Sequence, residues 1–278
     1  MNYELIDSGE ARRLERFGDY ILDRPDPEVL WQKRLSPQEW KSDAKFGDKW
    51  EITGNVPEKW EMEHEGVKFW AKLSPFKHTG VFPEQFSQWD YIYDQINHST
   101  IQPFNFLNLF GYTGIASLFA AKAGATVTHV DASRPAVTWA NENRALNDEK
   151  WPIRWIIDDA IKFTEREIKR GVKYDAIIMD PPAYGHGPTG EVWDFNKDFP
   201  KLLENCKKIL SDKPLFVLVN AYAISSSSIT LANTLLGNFG NLGGTIENGE
   251  LTLTETSLRA GGPMGRRLST GIWARWEK

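Results

Sequence analysis

The residues best suited to chemistry in this chain stand together in one short run after a strand-like segment. Residues 174–179 are mostly apolar, and they lead directly into Asp180-Pro181-Pro182-Ala183-Tyr184. Proline fixes its own backbone and pushes the preceding residue toward an extended conformation, so this run is stiff. The Asp180 carboxylate can accept a hydrogen bond from an amino group, and Tyr184 can stack on a base. The run therefore predicts a site for a planar, nitrogen-bearing group, with a purely structural turn as the alternative.

A glycine-containing turn follows an earlier apolar segment, residues 104–109. It reads Asn108-Leu109-Phe110-Gly111-Tyr112-Thr113-Gly114, and a helix is predicted over residues 115–122. Glycine lets a ligand come close to the backbone, and a helix N-terminus offers free N–H groups to a carboxylate. The turn has neither the G-x-G-x-x-G spacing of dinucleotide enzymes nor a Gly-Lys-Ser/Thr phosphate loop. It predicts a cofactor-binding turn, and an ordinary strand-to-helix turn is the alternative.

Carboxylates end the next two predicted strands. Asp131 ends the strand of residues 126–130 and can accept both ribose hydroxyls of a nucleoside, whereas Ser133 is the better placed N-cap for the helix that follows. Asp158-Asp159-Ala160 ends the strand of residues 153–157. One of these carboxylates could accept a hydrogen bond from an adenine amino group, and the Ala160 amide could serve a ring nitrogen. Capping of the helix that begins there explains the same residues equally well.

The elements that position these residues alternate along the chain. From about residue 100 predicted strands and helices follow one another, and two closing strands near residues 251–258 and 270–276 have no long helix between them. This order predicts an α/β fold with a Rossmann-like, mostly parallel sheet and an antiparallel edge, spanning residues 91–278. Residues 1–90 form a predicted small, mostly β region, with a hairpin near residues 59–73.

Composition limits the alternatives. The chain of 278 residues has a formal net charge of −5 and one cysteine, which argues against nonspecific binding of long nucleic acid and against a disulfide framework. No apolar run is long enough to span a membrane, and the first residues do not resemble a signal peptide, so a cytoplasmic location is expected. The histidines and the cysteine do not cluster in the sequence, and no metal site is predicted.

Several further side chains have two interpretations each. Cys206 could be a nucleophile, but its helical spacing with Leu202, Ile209 and Leu210 predicts a core position. His186, in a segment of residues 185–190 predicted as a loop, could be a base or simply solvated. The six tryptophans before residue 90 could stack bases or build a core. The arginines near a glycine-rich stretch could hold phosphate or lie at a solvated edge; they are Arg259, Arg266 and Arg267.

From about Trp60 onward the chain resembles the bacterial ribosomal-RNA large-subunit methyltransferases of the class I, S-adenosylmethionine-dependent superfamily, whose members include cytosine-5 and guanine-N7 methylating enzymes. The matching segments are residues 77–85, 108–114, 131–133, 158–159, 180–184 and 265–271. The resemblance implies that Gly111, Thr113 and Gly114 lie along the methionine part of the cofactor. It also implies cofactor contacts from the neighbouring positions Phe82, Gln85, Asn108, Tyr112, Asp131, Ser133, Asp159 and Ala160.

These observations and the resemblance together predict an S-adenosylmethionine-dependent methyltransferase. Methyl transfer is expected to be direct, to a base nitrogen, with Asp180 orienting the target and Tyr184 stacking on it, because no cysteine follows the fifth strand, where Asn220 stands. A structured RNA, ribosomal RNA above all, is the expected substrate. A small-molecule or protein acceptor is the alternative, and the acidic balance of the chain favours it.

Overall fold

A computed structural model describes residues 2–256 and 265–278. Its strands are β1 (Tyr3–Gly9), β2 (Arg12–Phe17), β3 (Tyr20–Pro25), β4 (Ala44–Phe46), β5 (Trp50–Ile52), β6 (Lys59–His64), β7 (Val67–Lys72), β8 (Asn105–Leu109), β9 (Thr126–Asp131), β10 (Ile153–Ile157), β11 (Ala176–Met179), β12 (Tyr184–His186), β13 (Val192–Asp194), β14 (Phe216–Ala221), β15 (Thr245–Thr254) and β16 (Arg267–Glu277). Its helices are α1 (Phe86–Asn97), α2 (Ile115–Lys122), α3 (Arg134–Ala145), α4 (Ala160–Arg170), α5 (Phe195–Ile209) and α6 (Ser228–Phe239).

The chain folds into two compact units. One comprises Met1–Phe86 and Thr252–Thr270, and the other comprises Ser87–Leu251 and Gly271–Lys278. The domain boundary predicted between residues 90 and 91 lies within α1, a helix that was not predicted from the sequence.

The first unit contains a five-stranded sheet in the order β1-β2-β3-β4-β5 and a separate antiparallel pair, β6 and β7. That pair occupies the stretch for which a hairpin was predicted. Glu65 and Gly66 connect the two strands with φ angles of 46° and 73°, which is the left-handed conformation that suits a two-residue hairpin turn. The indole N–H groups of Trp31, Trp40 and Trp50 donate to groups of the same unit, a behaviour that fits a structural role.

A buried ion cluster lies within this unit. The Glu15 carboxylate is fully buried and accepts two hydrogen bonds of 2.8 Å from the Arg24 guanidinium and one of 2.9 Å from the Tyr3 hydroxyl. Burial raises the pKa of Glu15, but the charges of Arg13 and Arg24 outweigh burial and hold it at about 2. The carboxylate is therefore ionised at neutral pH despite its burial.

The second unit is built on a seven-stranded sheet in the order β10-β9-β8-β11-β14-β16-β15. The first five strands run parallel to one another, and β16 pairs with β14 in the antiparallel direction. The predicted Rossmann-like sheet with an antiparallel edge is confirmed. On one face the sheet packs against a buried cluster that includes Leu202, Leu203 and Cys206 from α5 and Leu231 and Leu235 from α6.

The helices begin and end where local chemistry dictates. The Ser133 hydroxyl accepts from the Ala136 amide and caps α3, and the Asp159 carboxylate accepts from the Lys162 amide and caps α4. Gly171 ends α4 with a φ of 69°. One prediction is wrong: part of the expected loop at residues 185–190 belongs to β12, which pairs with β13 in a short hairpin. No helix in the described part of the chain combines the length and apolar character needed to cross a membrane.

Candidate active site

The order of the strands creates a point where neighbouring connections leave in opposite directions. β8 lies between β9 and β11, and the chain continues from β8 to β9 on one side and reaches β11 on the other. The carboxyl ends of such strands are where open α/β sheets bind ligands. The glycine turn follows β8, the Asp180 segment follows β11, and the Asp180 amide donates to the Leu109 carbonyl at 3.3 Å. The two predicted motifs are thereby neighbours.

The turn after β8 has an unusual backbone. Phe110 and Tyr112 have φ angles of 55° and 48°, and Gly114, which precedes α2, has a φ of 78°. Positive φ values at residues other than glycine are uncommon and cost free energy, and such positions occur often at ligand sites. The Gly111 amide donates to the Val130 carbonyl at 3.1 Å, which fixes the turn to the end of β9.

A polar network lies beneath this turn. The buried Asn108 amide donates to the Ser117 hydroxyl at 2.9 Å, and that hydroxyl is 3.1 Å from Nδ1 of His129. Asn108, predicted as a cofactor contact, is thus bonded to α2. Burial lowers the pKa of His129 to about 3, so the imidazole is neutral near neutral pH. His129 was not identified from the sequence. Its position in a strand does not indicate that its imidazole contacts Ser117 in α2.

Asp131 is held by the backbone on both sides. One carboxylate oxygen accepts from the Tyr112 amide and the other from the Ser133 amide, each at 2.8 Å. Burial raises the pKa of Asp131, and these two hydrogen bonds act in the opposite direction. A carboxylate oxygen has two lone pairs, so each oxygen can accept one further hydrogen bond from a ligand hydroxyl. The alternative N-cap role belongs to Ser133, as expected.

The carboxylates after β10 have structural partners. Asp159 caps α4 through a 2.8 Å bond from the Lys162 amide, and Asp158 forms an ion pair with Arg166. The Asp158 amide donates to the Asp131 carbonyl at 3.1 Å, which brings this strand end next to Asp131. Ala160 is buried at the start of α4. The capping role of Asp159 is observed, and its contact with adenine stays a prediction.

The segment after β11 is held by hydrogen bonds from residues that follow it in the chain. The Trp193 indole donates to the Pro182 carbonyl at 2.7 Å, and the Phe195 amide donates to the Ala183 carbonyl at 3.1 Å. The Trp193 ring also packs on Phe110, with ring centroids 4.9 Å apart. Trp193 was not predicted from the sequence, because no pattern there indicates that it contacts both motifs. Its contacts link the glycine turn to the Asp-Pro-Pro segment.

The remaining predicted residues belong to other parts of the fold. Phe82 and Gln85 belong to the first unit, where Phe82 precedes a short 3-10 helix, Pro83–Gln85, and the Gln85 amide donates to the Phe82 carbonyl at 3.0 Å. Cys206 is fully buried in α5, as predicted, and burial raises the pKa of its thiol.

The guanidinium of Arg266 is paired within the first unit. It donates to Asp7, to Glu255 and to two backbone carbonyls, of Ser8 and Gln32. These donors already have acceptors, so a phosphate-binding role of Arg266 is not supported, while Arg259 lies outside the described residues.

A protein-family model and several solved structures match this chain. The family model described as S-adenosylmethionine-dependent methyltransferase matches residues 33–234, more than half of the chain. The crystal structure of the SAM-dependent methyltransferase from Agrobacterium tumefaciens is 41% identical, with a TM-score of 0.95, and the match covers 100% of this chain and 90% of that one. A methyltransferase crystallised in complex with SAH is 18% identical with a TM-score of 0.68, covering 96% of this chain and 71% of that one, and shares the fold.

Among curated proteins, the ribosomal RNA large subunit methyltransferase K/L of Hahella chejuensis is 34% identical over 152 residues. The match covers 54% of this chain and 20% of that protein. The chain therefore spans about a fifth of the length of this curated relative.

Proposed function

Because the chain belongs to the S-adenosylmethionine-dependent methyltransferase family, we propose that it transfers a methyl group directly to a base nitrogen of an RNA, with ribosomal RNA as the substrate class. The observation that carries the proposal is the junction of the two motifs. The Asp180 amide donates to the carbonyl of Leu109, which ends β8 and leads into the glycine turn. Asp180, whose carboxylate can accept a hydrogen bond from an amino group, is therefore next to that turn.

The residues around the turn suit the cofactor. Its methionine part would lie along Gly111, Thr113 and Gly114, with the α2 N-terminus available to a carboxylate. Its ribose would be held by Asp131, whose two oxygens are already oriented by backbone amides. Adenine would lie beside Asp159 and Ala160 at the start of α4. When bound, the cofactor supplies a methyl group carried on a sulfonium.

Catalysis on this proposal comes from positioning. The Asp180 carboxylate accepts a hydrogen bond from the target amino group, orients the nitrogen lone pair and receives the proton that the nitrogen loses when it gains the methyl group. Tyr184 stacks on the base. A covalent route through Cys206 is disfavoured because the thiol is fully buried and burial raises its pKa.

Support for RNA comes from the curated relatives, which are named as ribosomal RNA methyltransferases. The rival acceptor, a small molecule or a protein, is favoured by the net charge of −5 and by the internal pairing of Arg266. Incubation of the protein with methyl-tritiated cofactor and a bacterial extract, followed by separation of RNA, protein and small molecules, distinguishes these acceptors. Label in the RNA fraction is expected, and label confined to the other fractions would contradict the RNA proposal.

A further inference from the structure

The hairpin of β12 and β13 has two unlike faces. Tyr184 pairs with Asp194, Gly185 with Trp193 and His186 with Val192. Side chains alternate across a strand and directly paired residues lie on the same face, so Tyr184, His186, Val192 and Asp194 share one face and Trp193 lies on the other. Trp193 is buried, whereas Tyr184 and Val192 are 59% and 56% exposed and His186 is also exposed. On this exposed face, we call the side chains of Tyr184, His186 and Val192 the hairpin platform.

Contacts at both ends of the hairpin connect the platform to the candidate site. Beneath it, Trp193 donates to the Pro182 carbonyl and packs on Phe110 in the glycine turn. At the hairpin tip, Glu191 accepts from the Thr189 amide at 2.9 Å and forms an ion pair with Lys162 in the first turn of α4. These contacts join the base of the hairpin to the Asp-Pro-Pro segment and the glycine turn, and its tip to α4.

The chemistry of the platform suits bases better than phosphates. Tyr184 and His186 meet edge to face with centroids 5.4 Å apart, and Val192 lies opposite His186. The nearby acids have local partners, because Asp194 caps α5 through the Lys197 amide and Glu191 pairs with Lys162. RNA-binding proteins stack unpaired bases on exposed aromatic side chains, histidine among them.

We propose that the hairpin platform binds a single-stranded RNA segment next to the methylated base, with a flanking base stacked on His186 and Val192. This inference rests on the proposed RNA substrate and extends it beyond the target base on Tyr184. The platform contributes sequence-tolerant stacking and no phosphate contact.

The test measures binding of a short, fluorescein-labelled, single-stranded oligoadenylate by fluorescence anisotropy over a series of salt concentrations. His186→Ala combined with Val192→Ser should weaken binding about tenfold at every salt concentration, the scale of losing one stacked base. The slope of log affinity against log salt should stay as in the wild type, because that slope counts phosphate contacts, at about −0.7 each for single strands. Leu236→Ser is the matched control, since Leu236 is a 57% exposed apolar side chain on α6.

Wild-type affinity in the double variant, or a lower slope without a uniform loss, would overturn the platform. Ultraviolet crosslinking gives a second readout, and the crosslinked peptide should contain residues 184–192. The two proposals fail separately in the tritium assay. If the double variant labels RNA as well as the wild type does, only the platform is wrong. If the wild type labels protein instead of RNA, the proposed RNA substrate is wrong, and the proposed role of the platform, which depends on it, is wrong as well.

Discussion

Gly111 lies directly against the imidazole of His129. A Cβ atom at position 111 would stand 2.4 Å from Cε1 and 2.5 Å from Nδ1 of that ring. The ring is itself fully buried and bonded to Ser117, so it cannot move aside easily. The requirement for glycine in this turn therefore comes from packing as well as from any ligand that approaches it.

We predict that Gly111→Ala displaces the turn and weakens binding of S-adenosylhomocysteine at least tenfold, because the added methyl group must shift either the turn or His129. Isothermal titration calorimetry measures the effect. Gly237→Ala is the control: position 237 lies inside α6 with no atom within 4 Å of a new Cβ, and alanine favours a helix. Equal affinity of the Gly111→Ala protein and the wild type would show that the turn does not hold the cofactor.

Asp131→Ala should weaken cofactor binding by about 1–3 kcal/mol, or about 5- to 150-fold in the dissociation constant, the scale for unpairing buried polar groups. The substitution removes the acceptor of the Tyr112 and Ser133 amides as well as the proposed ribose contact. Thermal unfolding of the ligand-free protein separates these effects. A variant that loses stability but keeps wild-type affinity would assign Asp131 a structural role alone.

The buried Glu15 predicts a specific acid dependence of stability. Its pKa in the folded protein is about 2, below the ordinary 4.5, so its contribution is complete above pH 4.5 and is lost as the pH falls toward 2. Urea unfolding of the wild type should show this loss, on the order of 3 kcal/mol. Glu15→Gln should lack this component, whereas Glu51→Gln, at an exposed position in the same unit, should retain it. An unchanged pH profile in Glu15→Gln would contradict the assignment.

Cys206→Ala should leave the turnover number within about twofold of the wild type and lower stability by about 1 kcal/mol, because a small buried side chain is truncated far from any solvent. Methyl-transfer rates and thermal unfolding test the two parts together. A loss of turnover beyond tenfold in a folded protein would restore a cysteine nucleophile to the mechanism.

The sequence predicted the local features of the sheet unit well. The boundaries of α2 match, because its apolar run ends at a glycine, and Ser133 caps α3 as its position indicated. The helical spacing around Cys206 did not show where α5 begins: Asp194 caps the helix at residue 195, and Pro200, a residue type that disfavours helices, lies inside it. Local helix propensity alone therefore does not locate the first turn of this helix.

Only those parts of the candidate site that lie within one continuous sequence segment were predicted. The motifs after β8, β9, β10 and β11 could be identified because strand ends are visible in the apolar pattern. The contacts between Trp193 and Pro182 and between Ser117 and His129 join residues in different structural elements. No pattern of residue types or spacing in the sequence indicates these contacts. The pairing of Arg266 with Asp7 was hidden for the same reason, and it corresponds to neither of the two interpretations given for that arginine.

We propose direct methyl transfer to a base nitrogen of RNA, with Asp180 orienting the target. Its most direct test is nucleoside analysis by mass spectrometry after incubating unmodified bacterial ribosomal RNA with S-adenosylmethionine and either the wild type, Asp180→Asn or Cys206→Ala. We expect an N-methylated base with the wild type and Cys206→Ala, and at least a hundredfold less with Asp180→Asn, whose cofactor affinity should be unchanged. A carbon-methylated pyrimidine, or undiminished product with Asp180→Asn, would contradict the account.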